Sequence, residues 1–144
     1  MSSVDITDNR AEFKEALERA TARALEIIGG KIETYAKGLC PVDTGALRNS
    51  ITHAVEDDTV LAGSAISYAP YIELGTGKEY QPPPEWMENN AERGRGLDRW
   101  FYKDAEGNWH VGYPQKPRPY LRPAIENHLD EYNNVIQNEL TNAQ

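Results

Sequence analysis

The chain has 144 residues and a formal net charge of −8 at pH 7, and its aromatic residues are mostly Tyr and Trp. The length suits one domain with a single core, and the negative charge argues against general binding to nucleic-acid phosphates. The single Cys40 excludes an internal disulfide, and no apolar stretch forms a signal peptide or reaches membrane-spanning length. Composition therefore predicts a soluble protein made in a cytoplasm, with no membrane partner.

The charge is unevenly distributed along the chain. Residues 93–122 include seven basic and three acidic residues, a net +4, whereas the remainder carries eight basic and twenty acidic residues, a net −12. Opposite charge on two parts of one chain favours self-complementary assembly. The split predicts that the basic zone of one copy meets acidic surface on another copy.

The first predicted element is a long helix. Asn9 followed by Glu12 can form a capping-box-like start, and the polar residues 1–8 before it are expected to be flexible. Pro41 disfavours helical backbone at the preceding residue, so the helix, of about eight turns, is expected to end near Leu39. The apolar residues that recur every three or four positions, and that predict its buried stripe, are Phe13, Leu17, Ala20, Ala24, Ile28, Ile32, Tyr35 and Leu39.

Two adjacent glycines, Gly29 and Gly30, interrupt this stripe. Each is expected to weaken the helix by roughly 1 kcal/mol relative to alanine. In one interpretation the glycines only weaken the helix and have no further role. In the other, another backbone approaches the helix closely at this point, or the helix bends there. The sequence leaves both interpretations open.

A pair of strands is predicted after a short helical turn. Asp43 or Thr44 can N-cap that turn. Alternation of apolar and polar residues then predicts strands at 51–56 and 59–66, joined by a two-aspartate turn. Because Gly63 has no side chain, one face of the second strand carries little bulk at this position. We expect the long helix to pack closely there.

Residues 67–77 predict a single helical turn that is rich in apolar side chains. Pro70 suits the first turn because proline has a fixed φ and no N–H. Gly75 and Gly77 can end the turn because glycine accepts positive φ. One turn cannot fold alone, since nucleation costs more than the turn returns. Longer elements on either side are therefore expected to hold it.

The second half of the chain predicts a loop, a hairpin and a last helix. Residues 78–97 contain three consecutive prolines and predict an extended loop. Aromatic runs at 99–103 and 109–113 flank turn residues and predict a β-hairpin. Pro123 fits the first position of the last helix, whose apolar stripe comprises Ile125, Leu129, Tyr132, Ile136 and Leu140.

Together these elements predict an α+β fold in a single domain that spans residues 1–144. The long N-terminal helix and the C-terminal helix are expected to pack on a small antiparallel sheet. The long loop and the extra β-hairpin are additions to that body.

Short motifs with catalytic associations are weak in this chain. Asp43-Thr44-Gly45 matches the signature of retroviral-type aspartic proteases, in which Asp residues from two chains share a proton and activate water. That chemistry needs a strand before the Asp, and here a helix is predicted. Gly75-Thr76-Gly77-Lys78 matches only part of a phosphate-binding loop, since Ile72 and Glu79 occupy the remaining key positions. We expect no enzyme, and the aspartic protease stays as an alternative.

The basic zone also carries Trp100, Phe101, Tyr102, Trp109 and Tyr113. Such a mixture binds single-stranded nucleic acid by stacking, or it forms a protein interface, where Arg, Trp and Tyr are favoured. The −12 elsewhere favours protein contact, and a single-strand-binding module remains an alternative. The three histidines lie in separate elements, so no metal or other cofactor is expected.

Three segments in this order resemble one family, the tail-component family of tailed bacteriophages with long non-contractile tails, which is related in kind to the tail-completion group that includes minor tail protein Z. The resemblance spans the chain from the first helix to the last. The segments that carry it are Pro41-Val42-Asp43-Thr44-Gly45-Ala46-Leu47-Arg48-Asn49-Ser50-Ile51, Tyr68-Ala69-Pro70-Tyr71-Ile72-Glu73-Leu74-Gly75-Thr76-Gly77 and Arg118-Pro119-Tyr120-Leu121-Arg122-Pro123-Ala124.

The resemblance implies a structural virion protein without catalysis, a neck or tail-completion component at the head–tail junction, assembled in the bacterial host cytoplasm. Its partners would be further copies in a ring, adjacent phage neck and tail proteins, and DNA only as passing cargo. The residues that we expect at its contacts are Tyr68, Tyr71, Glu73, Arg95, Arg99, Phe101, Trp109, Arg118 and Arg122.

Overall fold

The computed structural model describes residues 9–87 and 95–143. The described part has the predicted α+β fold, with a long N-terminal helix, C-terminal helices and two small antiparallel sheets of two strands each. The flexibility expected for residues 1–8, and the middle of the loop at 78–97, lie outside the described residues. The elements are α1 (Arg10–Leu39), α2 (Ala46–Ser50), β1 (Thr52–Glu56), β2 (Thr59–Gly63), α3 (Ala69–Leu74), a 3₁₀ turn (Gly77–Glu79), β3 (Trp100–Lys103), β4 (Trp109–Gly112), α4 (Leu121–Glu126) and α5 (Leu129–Asn142).

Helix α1 begins and ends where its local sequence predicts. It starts directly after Asn9, although the Asn9 side chain makes no capping hydrogen bond. At the other end, Cys40 has extended backbone, with φ −66° and ψ 129°, as a residue before proline prefers. The prediction that the Asn9 side chain caps the helix was therefore wrong. The predicted end of the helix before Pro41 is confirmed.

The buried stripe of α1 is shorter than the apolar pattern of the sequence. Both ends of the predicted stripe are exposed, with Phe13 at 54% and Leu39 at 49% of full accessibility. The helix packs on α4, α5, β1 and β2, and to a smaller extent on α2. Its last turn is packed through Ala36, and Cys40 just beyond it is buried, so Leu39 is exposed because it lies outside the buried face of that turn. The buried positions of the helix are Ala20, Ala24, Ile28, Gly29, Ile32 and Ala36.

A side chain of the first hairpin, not the backbone expected from the sequence, lies against one of the two glycines of α1. A Cβ built on Gly29 would lie 2.4 Å from Cδ2 of the His53 ring on β1, whereas one on Gly30 would meet open space. A Cβ on Gly63 would also meet open space, so the close packing of the long helix predicted at Gly63 was wrong. Strand β2 ends at Gly63, short of the predicted boundary, because the Ser64 hydroxyl accepts the Ile66 N–H and turns the chain.

Alanine substitutions at the two glycines are expected to have opposite effects. Gly30→Ala should raise the free energy of unfolding by about 0.5–1 kcal/mol, because alanine restricts the unfolded chain and the site has room. Gly29→Ala should lower it by about 1–3 kcal/mol, because the imidazole of His53 must move. Urea denaturation followed by circular dichroism measures both. Equal shifts for the two variants would show that His53 does not pack on Gly29.

The C-terminal segment forms two helices rather than one. Helix α4 begins at Leu121, so Pro123 is its third residue and not its first, and the chain leaves helical geometry at His128 before α5. There the His128 ring stacks on Tyr35 of α1, with centroids 3.7 Å apart and planes at 4°. The break leaves Leu129 exposed and Tyr132 buried, because the helical phase restarts after His128.

Polar contacts also hold α5 against α1. Glu131 accepts hydrogen bonds from the Tyr35 hydroxyl at 2.6 Å and from Lys31 Nζ at 2.9 Å. The bond from Tyr35, then the bond from Lys31, holds the pKa of Glu131 below its ordinary value. Nearer the end of α5, Arg23 Nε donates to Glu139 at 3.2 Å. The two helices are thus joined by charge at two levels along their length.

Candidate functional site

The three segments that carry the family resemblance converge around α3. The Arg118 N–H donates to the Ile72 carbonyl at 2.8 Å, and the Tyr120 hydroxyl donates to the Ala69 carbonyl at 3.4 Å. Residues 41–47 complete the cluster and, with Tyr68, Ile72 and Arg118, line a groove of about 470 Å³. Segments far apart in the chain therefore form one buried centre, as expected for a helical turn too short to fold alone.

Glu73 is the charged group at this centre. Its carboxylate, on a residue only 5% exposed, accepts the backbone N–H groups of Tyr120 at 2.8 Å, Leu121 at 3.0 Å and Arg122 at 2.8 Å. These donors belong to the start of α4, where a helix has no internal acceptors and favours negative charge. Glu73 caps α4 inside its own chain, which gives it a structural role that its prediction as an interface residue did not include.

The glycines after α3 let the basic hairpin attach to this centre. Gly77 has φ +60°, and a Cβ on it would lie 2.8 Å from the Leu97 carbonyl oxygen and 2.9 Å from Cζ3 of Trp100. The other side of the Trp100 indole lies against Gly112 of β4, where a Cβ would come within 2.4 Å. Trp100 thus anchors the root of the hairpin between two glycines.

The register of the hairpin puts large apolar side chains together on one exposed face. Phe101 pairs with Val111 and Lys103 pairs with Trp109, so these four share a face. Phe101 is 65% exposed, Trp109 67% and Val111 41%, and Tyr113, which continues the face two residues beyond Val111, is 64% exposed. Phe101, Trp109, Val111 and Tyr113 are called the aromatic face below.

Two basic side chains accompany the aromatic face. Lys103 Nζ lies 4.9 Å from the Trp109 ring centroid, and Arg99 is exposed directly before β3. Arg95 instead lies over Tyr80, 5.3 Å from its ring centroid. On the opposite face of the hairpin, Tyr102 stacks on His110 with ring centroids 5.4 Å apart. The hairpin therefore presents one face that combines exposed aromatic carbon with positive charge.

The remaining predicted contact residues lie elsewhere. Tyr68 is exposed and lines the 470 Å³ groove with Arg118, and Tyr71 is half-buried on α3. Arg122 Nε donates to Glu126 at 3.1 Å on the surface of α4. The structure brings Phe101 and Trp109 together and Tyr68 and Arg118 together, but it does not join the two pairs into one site.

Sequence reasoning missed a second groove, which runs between β2, α3 and α4. It has a volume of about 460 Å³, and we call it the β2 groove. Half-exposed Leu61 and Trp86 lie along it. The sequence signal for this groove is limited to Trp86 and Met87. Two large apolar residues in a polar loop indicate that the loop packs on an apolar surface. The groove is mostly apolar, and its lining residues are Val60, Leu61, Ala62, Gly63, Ser64, Ala69, Pro70, Glu73, Trp86, Met87, Tyr120, Leu121 and Ile125.

The catalytic motifs do not take up the geometry that their chemistry needs. Asp43 is exposed and follows helix α1 and a bend, not a strand. The Thr44 hydroxyl, not Asp43, accepts the Ala46 N–H at 3.2 Å at the start of α2. The glycines of the partial phosphate loop face Trp100 and backbone carbonyls. Within residues 9–87 and 95–143, no group of His, Cys, Asp and Glu side chains is placed to hold a metal ion.

His53 lies between two carboxylates of α1. Its Nε2 is 2.7 Å from Glu26 Oε1 and its Nδ1 is 2.5 Å from Glu33 Oε2, so both nitrogens donate when the imidazole is protonated. The bond to Glu26, then the bond to Glu33, raises the pKa of His53 above its ordinary value of 6.5. Lys37, then His53, holds the pKa of Glu33 below its ordinary value. Together these groups attach β1 to α1 by charge.

Stability is expected to fall as the pH rises through the titration of His53. Because the folded-state pKa is raised, the contribution is fully present below 6.5 and is lost as the pH passes the higher folded value. Thermal melting in a pH series measures this, with His53→Gln as the variant that should flatten the dependence. Thr52→Gln, at an exposed position on the same strand, is the control and should keep it. An unchanged slope in His53→Gln would assign the dependence to other groups.

Comparison with protein-family models, with curated proteins and with solved structures gives no match for this chain. In the part of the chain that the structure describes, no helix combines the length and the apolar character needed to cross a membrane.

Proposed function

We propose that this protein is a structural virion protein of a tailed phage, a neck or tail-completion component that forms a closed ring at the head–tail junction. The observation that carries the proposal is the aromatic face. Three aromatic rings, each close to two-thirds exposed, stand together on a hairpin that is rigidly anchored at Trp100. Contiguous apolar patches of this kind mark protein contact sites, and Trp and Tyr are favoured there.

Charge supports contact between identical copies. The aromatic face lies in the zone of net +4, and the rest of the chain carries −12. Opposite potentials steer association and fix its register. In a ring, the acidic remainder of each subunit would also repel DNA that passes through the lumen. The ring would be built in the bacterial host cytoplasm and would join adjacent neck and tail proteins in the virion.

The family resemblance is the second support. The second and third segments are tied by the Glu73 carboxylate and by Arg118, and the first lines a groove together with residues of both. A shared structural centre of this kind explains why three separated segments would occur together. The proposed protein is not an enzyme, and it needs no cofactor.

The proposal is tested by measuring whether the protein assembles into rings. Native mass spectrometry of the purified chain at high concentration, alone and with neighbouring neck proteins, should show rings, and the protein should be found in phage particles. Arg95→Glu combined with Arg99→Glu should dissociate the assembly while melting stays nearly unchanged. Lys14→Glu with Arg19→Glu, at exposed positions on α1, makes the same change in charge and should assemble. A wild-type chain that stays monomeric and joins no particle contradicts the proposal.

The combination of aromatic rings with Lys103 and Arg99 also keeps single-strand binding as a second candidate function. That function predicts affinity for labelled oligonucleotides that falls steeply as salt rises from about 50 to 200 mM. Fluorescence anisotropy measures it. On our proposal the chain shows no such binding at low salt. The aspartic protease alternative predicts cleavage of an unfolded substrate that Asp43→Asn abolishes, and we expect no cleavage by either form.

A further inference from the structure

The aromatic face is large enough to be one side of a specific contact. Aromatic side chains have surfaces of about 150–250 Å² each, so three rings at these exposures and Val111 present on the order of 400 Å² of apolar area. This is about half of the roughly 800 Å² that one partner contributes to a standard interface. The aromatic face needs a concave apolar surface as its partner, because a flat surface would leave the edges of the rings exposed to solvent.

The β2 groove is such a surface on the same chain. Its volume of about 460 Å³ falls within the range of pockets that enclose ring-containing groups. Apolar residues from β2 and α4, including Val60, Leu121 and Ile125, line it, and Trp86 stands at its mouth. Strand β2 pairs only with β1 among the described residues, so its outer edge has no neighbouring strand on the side of the groove.

The charges around the two surfaces are complementary. Exposed carboxylates lie near three of the lining segments: Asp58 in the turn before β2, Glu85 beside Trp86, and Glu126, which also pairs with Arg122, beside Ile125. Exposed cations lie next to the aromatic face: Arg99, Lys103 and Lys116. An acidic rim around an apolar groove thus matches a basic rim around an apolar face, which is the arrangement that interfaces favour.

We propose that the aromatic face of one copy docks in the β2 groove of the next copy. The inference rests on the proposed ring function and names the two surfaces that form its subunit contact. The face and the groove are different patches of one chain, so the contact is heterologous. A heterologous contact uses one face and one groove per junction and continues until the chain of subunits closes into a ring.

Two single variants separate the two surfaces. Phe101→Glu introduces an acid on the aromatic face, opposite an acidic rim, and Leu61→Lys introduces a cation at the half-exposed groove residue of β2. Ala105→Glu in the exposed hairpin turn and Ala22→Lys at an exposed position on α1 make the same charge changes off the two surfaces. Phe101→Glu and Leu61→Lys should each weaken assembly roughly tenfold or more. The two control variants should assemble as the wild type does.

Mixing the two defective variants gives the decisive result. The Phe101→Glu copy keeps an intact groove and the Leu61→Lys copy keeps an intact aromatic face, so the mixture can form one good contact per pair. Native mass spectrometry should therefore show one-to-one heterodimers and nothing larger. Neither variant alone should dimerise at the same concentration. Circular dichroism melting of each variant confirms that the monomers are folded.

Two outcomes overturn the inference while the ring proposal stands. In the first, the wild type forms rings, and Leu61→Lys assembles normally while Phe101→Glu does not, so the aromatic face meets a surface other than the groove. In the second, the wild type forms rings, but the mixed variants give no heterodimer, which is the result for a contact between two identical faces. A wild type that forms no assembly and enters no particle overturns the inference and the ring proposal together.

Discussion

Replacing Glu73 with alanine is expected to lower the free energy of unfolding by about 3–5 kcal/mol. The carboxylate accepts three backbone N–H groups at 2.8–3.0 Å from the start of α4. Without it, these donors remain at a buried position with no acceptor, and the favourable charge at the helix N-terminus is lost. Because hydrogen bonds to a charged group are stronger than neutral ones, this should be the most damaging change of a charged residue within the described part of the chain.

A graded series distinguishes capping from simple loss of volume. Glu73→Gln keeps the shape of the side chain and one acceptor oxygen, so it should have a smaller effect, about 1–3 kcal/mol. Glu85→Gln, at an exposed position, removes a carboxylate from the surface and should stay within about 0.5 kcal/mol of the wild type. Guanidinium denaturation measures all three. A loss below 1 kcal/mol in Glu73→Ala would show that α4 does not depend on this cap.

The second large effect is expected at Gly75, which ends α3. Gly75 has φ +79° and ψ −178°, a region that side chains essentially exclude. A Cβ there would also lie 2.7 Å from the Gln115 carbonyl oxygen and 2.9 Å from that of Glu79. Since both neighbours are backbone, they cannot rotate away. Gly75→Ala should therefore lower the free energy of unfolding by about 3–5 kcal/mol, the sum of backbone strain and overpacking.

Gly45 is a control for positive φ without a clash. It has a similar φ of +85° but a ψ of −2°, in the left-handed helical region, and a Cβ there would meet only Asn49 Nδ2 at 3.6 Å, which is an ordinary contact. Gly45→Ala should therefore show the milder strain of that region alone, about 1–2 kcal/mol. The difference between the two variants, measured by urea denaturation, combines the clash with residues 79 and 115 and the extra backbone strain at Gly75. Equal losses would mean that the segment after α3 can move to accept a side chain.

The candidate site was predictable in part. The aromatic and basic composition of the hairpin, and the turn residues at 104–108 that join its strands, predict that Phe101, Trp109 and Arg99 lie on one element. Alternation alone left open which face of the hairpin packs inward. Trp100 decides it, because its indole fits between Gly77 and Gly112 and leaves Phe101 and Trp109 on the other side. The β2 groove had no clear signal in the sequence, since its lining residues come from β2, α3, α4 and the loop that carries Trp86.

The sequence by itself determined the elements whose signals are local. Helical periodicity and Pro41 set the long helix and its end, alternation and turn residues set both hairpins, and their order determined the α+β class. Only the tertiary structure decided which of these residues meet. Glu73 caps a helix whose first donor lies 47 residues later, His53 packs on Gly29, and stacking of His128 on Tyr35 accompanies the division of the last helix in two. Periodicity and turn chemistry act over a few residues, whereas the partner of a buried charge or a glycine is set by the packing of distant segments.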